Sequence, residues 1–530
     1  MRTSHVYLPT KTTYTDDQLV KLGFEPLSKD WYLFEYFEAL FIWNYLASGL
    51  LSLIFFSYLA LTVVYNHLGD YNNRLVFKNL FVYQYWIFLL SIWFFFIYKI
   101  EFVFNIVRLS YGETPFLFGD FIDKKHNNIL GDTLIILCIT TIIISWVFLS
   151  ERYINLNIHN SLYFFIFIIF TINMVYTTNL LTMFIFFELI FLPSLFFVYV
   201  LGYSKKVEKT IKYLLLWTLT GSFIVLFTII YLHSVVGSLE INSLYLIRFT
   251  SKEKIYFYFL FFVGFGVKIP LWPFHFWLTK VHVEAPTGFS IFLSGYLVKT
   301  ALFCFMQCIA IFKNEFLIYI SMSWVAWGCL DASIRMWSAT DIKRLIAFAT
   351  IQEMNLIIIL FLLSNNTSFK ILNSFIFIHG LLSSLLFFLV DQVQKRCQTR
   401  NLTNLSGLAY KVTILPIIVW LSLLIFRGFP IFSKFLIEWE ILTLLVENYN
   451  FFGLFFFIII TVFSVLGFAR IWFTVLYGQP STNINVGVDM LKTDQMIALF
   501  IIFQLFFIST VLLYFSFNWL VLHQIKKIIV

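Results

Sequence analysis

Apolar runs of about twenty residues or more, separated by short polar connectors, recur along nearly the whole chain. That is the length an α-helix needs to cross the hydrocarbon core of a bilayer. One span per run gives about fourteen, centred near Leu51, Leu90, Ile142, Phe167, Glu188, Phe223, Val263, Tyr296, Val325, Ile357, Leu381, Leu424, Ile459 and Ile508. The short alternating segments of a transmembrane barrel are missing from the sequence. The pattern predicts an all-α polytopic membrane protein. A polar extension over 1–35 precedes the first two spans and their connecting loop (36–131). A core over 132–480 follows, and then a C-terminal loop with the last span (481–530).

Two spans carry breakers. The seventh reads Gly264-Phe-Gly266-Val-Lys268-Ile-Pro270-Leu-Trp-Pro273, and the twelfth reads Arg427-Gly428-Phe-Pro430-Ile-Phe-Ser433-Lys434-Phe-Leu-Ile-Glu438. Proline removes a backbone donor and clashes with the preceding turn, so each helix should be interrupted. In hydrocarbon such a break is tolerated only against other protein or a wet cavity. Breaks five spans apart suggest two related five-helix repeats, the plan by which transporters build a site at mid-membrane.

The same spans hold ionisable residues where packing in lipid gives them no reward. An ammonium at the centre of a bilayer helix costs roughly 2.5–3.5 kcal/mol on insertion scales. Lys268 precedes the first break, where freed carbonyls could solvate it. Lys299 stands in Leu293-Ser-Gly-Tyr-Leu-Val-Lys299-Thr with no breaker and no acid beside it. Glu188 is isolated in Phe184-Ile-Phe-Phe-Glu188-Leu-Ile and reads as the partner of a lysine on a neighbouring helix, or as a neutral structural acid. Glu438 follows the second break, and its neighbours Glu440 and Glu447 allow a surface reading. His275 and His379 are candidate relay groups, since histidine exchanges protons near neutrality; a carbonyl-bonded structural histidine is the plain alternative. His282 reads as solvated, and Asp331, Arg335, Asp341, Lys343 and Arg344 as loop charges.

Composition narrows the chemistry. The 530 residues are 60% hydrophobic and 12% charged, with a net charge of +8; a soluble domain carries about twice that charged fraction. The basic residues gather in loops after odd-numbered spans, which the positive-inside rule turns toward the cytoplasm or a mitochondrial matrix, so nucleic acid is not implied. The five cysteines have no paired spacing. No phosphate-binding lysine loop, dinucleotide glycine fingerprint or metal-binding Cys/His cluster is visible. Unmatched depths of His233, His275 and His379 argue against axial haem ligation.

The string Lys268-Ile-Pro-Leu-Trp-Pro-Phe-His275-Phe-Trp277-Leu-Thr-Lys280-Val-His282-Val-Glu284-Ala285-Pro286 resembles the subunit 4 family of proton-pumping NADH:ubiquinone oxidoreductase, respiratory complex I. Supporting stretches are Phe187-Glu188-Leu…Pro193, Asp341-Ile-Lys343-Arg-Leu-Ile-Ala347, His379-Gly380-Leu…Phe387 and Gly428-Phe-Pro430…Phe432-Ser433…Phe435…Glu438. The likeness runs from about Asp132 to Tyr477. It implies an antiporter-like fold of fourteen helices, with two inverted five-helix repeats and broken helices seven and twelve. It also implies a proton relay in which Glu188 tunes Lys268, Lys299 is central, Glu438 is terminal, and His275 and His379 join the hydrated path.

Further implications concern the assembly. The chain would bind no cofactor, with NADH, FMN, iron–sulfur clusters and ubiquinone held by other subunits. Its partners would be other membrane-arm subunits, especially the subunit 5 and subunit 2 paralogues, and lipids, in the mitochondrial inner membrane. One departure stands out: Glu353 in Ala349-Thr-Ile-Gln-Glu353-Met occupies a place where the family often has histidine, so the path is rewired there or the residue is peripheral. Two rival readings are a subunit of a cation/proton antiporter or membrane-bound hydrogenase, and a scaffold whose buried charges only pin helices.

Overall fold

In hydrocarbon every backbone polar group must be satisfied within the chain, and these apolar runs do so as helices. The computed structural model describes residues 130–142, 144–145, 158–201, 207–364, 369–448, 450–479, 490, 494–495, 497–499 and 501–506. The N-terminal extension, the spans centred at Leu51 and Leu90, and the last centre, Ile508, lie outside the described residues.

The chain order is α1 (Leu130–Ile142), α2 (Ile158–Tyr176), α3 (Leu180–Leu201), α4 (Val207–Val236), α5 (Ile241–Leu246), α6 (Ser251–Lys268) and α7 (Phe276–Glu284). It continues with α8 (Thr287–Ile311), α9 (Glu315–Ser338), α10 (Ile342–Leu363), α11 (Phe369–Cys397), α12 (Ile414–Phe426), α13 (Ser433–Glu447), α14 (Phe451–Leu476) and α15 (Ile497–Phe506). Every centre read from the sequence between Phe167 and Ile459 falls inside a helix. Among the described residues, six helices (α4, α8, α9, α10, α11 and α14) are long and apolar enough to cross a membrane. A seventh is reached if the pair Leu402–Tyr410 and Ile414–Phe426, bent by 110°, is one span.

Burial sorts these helices into centre and rim. The apolar windows of α8 and α10 are 100% buried, whereas those of α4 and α14 are 39% and 33% buried. A helix that is apolar all round belongs in a core, and α8 and α10 are that core. The outward faces of α4 and α14 carry Leu216, Phe223, Phe227, Phe455 and Val462, exposed as a lipid-facing surface would be.

Both proline-marked breaks are present. After Lys268 the chain leaves the helix, and Leu271 N–H donates to the Gly266 carbonyl (2.9 Å). Indole groups take up two carbonyls at the bend: Trp277 Nε1 donates to Val267 O (2.8 Å) and Trp324 Nε1 to Trp272 O (2.6 Å). At the second break α12 stops at Phe426, Gly428 adopts a φ of +69°, and α13 begins at Ser433.

Close backbone contact joins α8 to α11. A Cβ on Gly380 would lie 3.0 Å from the Gly295 carbonyl oxygen and 2.6 Å from Leu137 Cδ2 of α1. Glycine suits the position because an added Cβ would press on the facing backbone and on Leu137; His379 precedes Gly380 in α11, and Lys299 lies one turn beyond Gly295 in α8. Gly380→Ala is expected to cost about 1–3 kcal/mol by overpacking. Thermal unfolding of the detergent-extracted protein checks this, and an unchanged midpoint would show that the helices have slack.

Candidate functional site: a line of buried charges

The first cluster joins α3, α4 and α6. Lys268, at the C-terminal end of α6, is buried and forms an ion pair with Glu188 of α3, whose side chain is 27% exposed. The same carboxylate oxygen accepts a hydrogen bond from Ser222 Oγ of α4 at 2.9 Å. The Lys268 ammonium also sits 4.2 Å from the centre of the Phe187 ring, a cation–π contact that helps offset its lost hydration. The counter-ion of Lys268 is thus a carboxylate on a neighbouring helix, while tryptophan side chains take up two of the carbonyls at the bend.

Between Lys268 and α8 lies a cavity of about 20 Å³, lined in part by Thr218, Lys268, Leu297 and Thr300. That is room for one water beside polar partners.

Lys299 lies on the fully buried helix α8 and is itself 1% exposed. Its chain looks unbroken in sequence, but the five residues Leu293–Leu297 just before it form a π-helical turn. Such turns concentrate at functional sites, since the widened loop leaves carbonyls misaligned with the helix axis. The Lys299 ammonium donates to one of them, the carbonyl of Ser294. No carboxylate lies within ion-pair distance of Lys299 among the described residues; Glu353 is within longer Coulombic reach.

The third cluster gathers around the second break and differs from what the motifs suggested. Lys434, in the first turn of α13, is 3% exposed and forms an ion pair with Glu353 of α10. It also donates to the carbonyl of Phe426, left open where α12 ends, and lies 4.1 Å from the centre of the Phe426 ring. Glu353 is 2% exposed, so it is not peripheral. Its other oxygen lies 3.9 Å from His379 Nε2.

Glu438, one turn beyond Lys434, stands 4.0 Å from that ammonium with its side chain 23% exposed. Gly428 packs so closely on the Glu438 carboxylate that a Cβ there would lie 2.9 Å from Oε2. His379 is within Coulombic reach of both Lys299 and Lys434. The structure thus brings Glu188 together with Lys268, and His379 together with Glu353, Lys434 and Glu438.

His275 stands apart from both, with Nε2 3.4 Å from Asp331 Oδ2 and its ring stacked on Phe276. His282 is not at the protein surface: it is fully buried, with its ring stacked 4.7 Å from that of Phe387. Lys343 is not a loop charge either. It opens α10, is 2% exposed, and donates to the Ala285 carbonyl at 2.8 Å. A further buried group went unread: Asp391 accepts from Thr287 Oγ1 at 3.0 Å and faces Lys395, which also approaches the buried Asp494 at 3.8 Å. The signal is an acid at the end of the apolar run Leu385-Leu-Phe-Phe-Leu-Val390, where the chain turns polar. His275, His282 and His379 are buried with no protein hydrogen-bond partner on either ring nitrogen, which suits hydration. No group of three or more His, Cys, Asp or Glu residues that could hold a metal ion occurs among the described residues.

Residues 177–464 match the family described as NADH:quinone oxidoreductase/Mrp antiporter, transmembrane. The chain is 34% identical over 394 residues to NADH-ubiquinone oxidoreductase chain 4 of Paramecium tetraurelia, covering 73% of this chain and 82% of that one. It is 32% identical over 343 residues to chain 4 of Acanthamoeba castellanii, covering 63% and 68%. Among solved structures, a chain of the Mrp complex from a Dietzia species superposes with a TM-score of 0.66 at 16% identity, over 73% of this chain and 80% of that one. A chain of respiratory complex I from Thermus thermophilus superposes with a TM-score of 0.63 at 20% identity, over 72% and 82%. A family match over more than half of the sequence, in a fold that its members share, leaves one conclusion: the chain belongs to the NADH:quinone oxidoreductase/Mrp antiporter family of transmembrane proteins.

Proposed function

We propose that the chain is a proton-translocating membrane-arm subunit of an NADH:ubiquinone oxidoreductase. The observation that carries this reading is the 34% identity to a chain 4 over 82% of that protein's length. The line of buried lysines and carboxylates gives the chemistry. Charge on Glu188 sets how readily Lys268 holds its proton. Release from Lys268 then alters the field at Lys299, and the change passes by way of His379 toward Glu438. His275 joins the hydrated path from the Asp331 side. Orphaned ring nitrogens on the buried histidines and the water-sized cavity beside Lys268 support a wet route.

The finer picture follows from the same reading. Fourteen spans in two inverted five-helix repeats would place the two broken helices at equivalent positions. The two breaks, each with a buried lysine beside it that pairs with a glutamate on another helix, support that symmetry. The chain would hold no redox centre, and NADH, FMN, iron–sulfur clusters and ubiquinone would be bound by other subunits. Its neighbours would be the subunit 5 and subunit 2 paralogues in the mitochondrial inner membrane.

A cation/proton antiporter subunit shares the fold, as the Dietzia likeness shows, but at 16% identity the fold is all that likeness carries. On a native gel of mild-detergent membrane extract, the chain is expected to co-migrate with a very large NADH-oxidising band. Migration in a smaller, NADH-inactive assembly would move the assignment to the antiporter.

Two variants test the relay. Lys299→Met is expected to leave the complex assembled and to lower the protons moved per electron; a normal ratio would sink the relay. Glu188→Ala leaves the buried Lys268 ammonium without its counter-ion and should destabilise by about 3–5 kcal/mol. Lys268→Met should cost less, because the remaining Glu188 keeps its bond to Ser222 and partial exposure. Equal losses of thermal stability in the two variants would count against the pairing.

A further inference from the structure

We infer that Glu353 and Lys434 form the distal proton-handling pair of this subunit: Lys434 loads and releases the proton, and Glu353 is the carboxylate that Lys434 and Lys299 share. The inference rests on the proton-translocation reading and changes which residues complete the path.

Geometry sets Lys434 apart from Glu438. Lys434 repeats the environment of Lys268 feature by feature. Each stands at a helix break, each is nearly fully buried, each pairs with a glutamate on another helix, and each lies about 4 Å from the centre of a phenylalanine ring. Glu438 has none of this. It is partly exposed, reaches Lys434 only at 4.0 Å, and packs on Gly428 with the Arg427 charge within Coulombic reach. Glu438 therefore sits on the outlet side of Lys434.

Glu353 occupies the junction. One oxygen holds Lys434, and the other lies 3.9 Å from His379 Nε2. Lys299, without a carboxylate of its own among the described residues, feels Glu353 at longer range. One carboxylate facing two lysines in a low-dielectric core compensates one ammonium fully and leaves a second uncompensated. Transfer therefore moves a single charge. The Lys299 ammonium gives up one proton and becomes an amine; one imidazole nitrogen of His379 takes a proton while the other releases one. The neutral Lys434 amine becomes an ammonium, and Glu353 stays ionised throughout as a positioning residue. Proton number is conserved at each step.

The test compares Glu353→Gln, Glu353→Asp and the neutral double variant Glu353→Gln/Lys434→Gln with Lys299→Met, all in the assembled complex reconstituted into vesicles. Assembly is read on native gels, and protons moved per electron are read from a pH-sensitive dye. The expected result is that Glu353→Gln and the double variant assemble and lose pumping to the level of Lys299→Met, while Glu353→Asp keeps it. If Glu353→Gln does not assemble, the double variant carries the test, because it removes both buried charges together.

Normal pumping by the double variant beside a defective Lys299→Met would overturn the pair and leave the relay standing. Normal pumping by both would overturn the proton-translocation reading as well. A double variant that cannot assemble would make the pair a structural pin and also overturn the inference.

Discussion

An ammonium buried in hydrocarbon needs an oxygen within bonding distance, and a regular helix has already used the carbonyls around it. Each buried lysine of the line meets that need at an irregularity. Lys268 stands where α6 ends and takes the Glu188 carboxylate. Lys299 takes a carbonyl from a π-helical turn. Lys434 takes both the Glu353 carboxylate and the carbonyl left open at the end of α12. The broken helices are thus the means by which this fold keeps charge in its centre at tolerable cost.

That requirement also explains the arrangement of the remaining helices. Lys299 and Glu353 lie on α8 and α10, the two helices surrounded by protein on every side, and Lys434 reaches Glu353 there. The rim helices α4 and α14 present exposed apolar faces, such as those of Phe223 and Phe455. The Gly295–Gly380 contact draws α8, which carries Lys299, close to α11, which carries His379. Ion pairs link groups on different helices, Glu188 to Lys268 and Glu353 to Lys434, and a water-sized cavity lies beside Lys268.

Much of this was legible in the sequence. A charge in an apolar run has few innocent explanations, which is why Glu188, Lys268 and Lys299 stood out. Prolines marked both breaks correctly because the lost donor acts locally and needs no tertiary information. Lys434 lies within the second break without a local signal of its own, since a lysine beside Ser433 and near a helix start looks solvated until the helix is packed. In sequence Glu353 shows only as a departure from the histidine often found there in the family it resembles. Its partner lies eighty-one residues away on another helix, and no local pattern carries that distance. Lys343 and His282 were misread for the same reason: each sits among polar neighbours in sequence but against Ala285 or Phe387 in space. The π-helical turn leaves no local pattern in Leu293-Ser-Gly-Tyr-Leu that would have flagged it.

That turn also sets the helical phase of everything beyond it. A five-residue turn accommodates about one residue more than an α-turn, and one residue is about 100° of rotation around a helix axis. Were the segment Leu293–Leu297 regular, the stretch Val298–Ile311 would be rotated by that angle, and Lys299 would face a different set of neighbours. The azimuth of the central lysine is thus written one turn upstream of it. A single-residue deletion among those five positions would let the turn close as an ordinary α-turn and keep the phase of Lys299, while removing the widened loop whose Ser294 carbonyl that lysine uses.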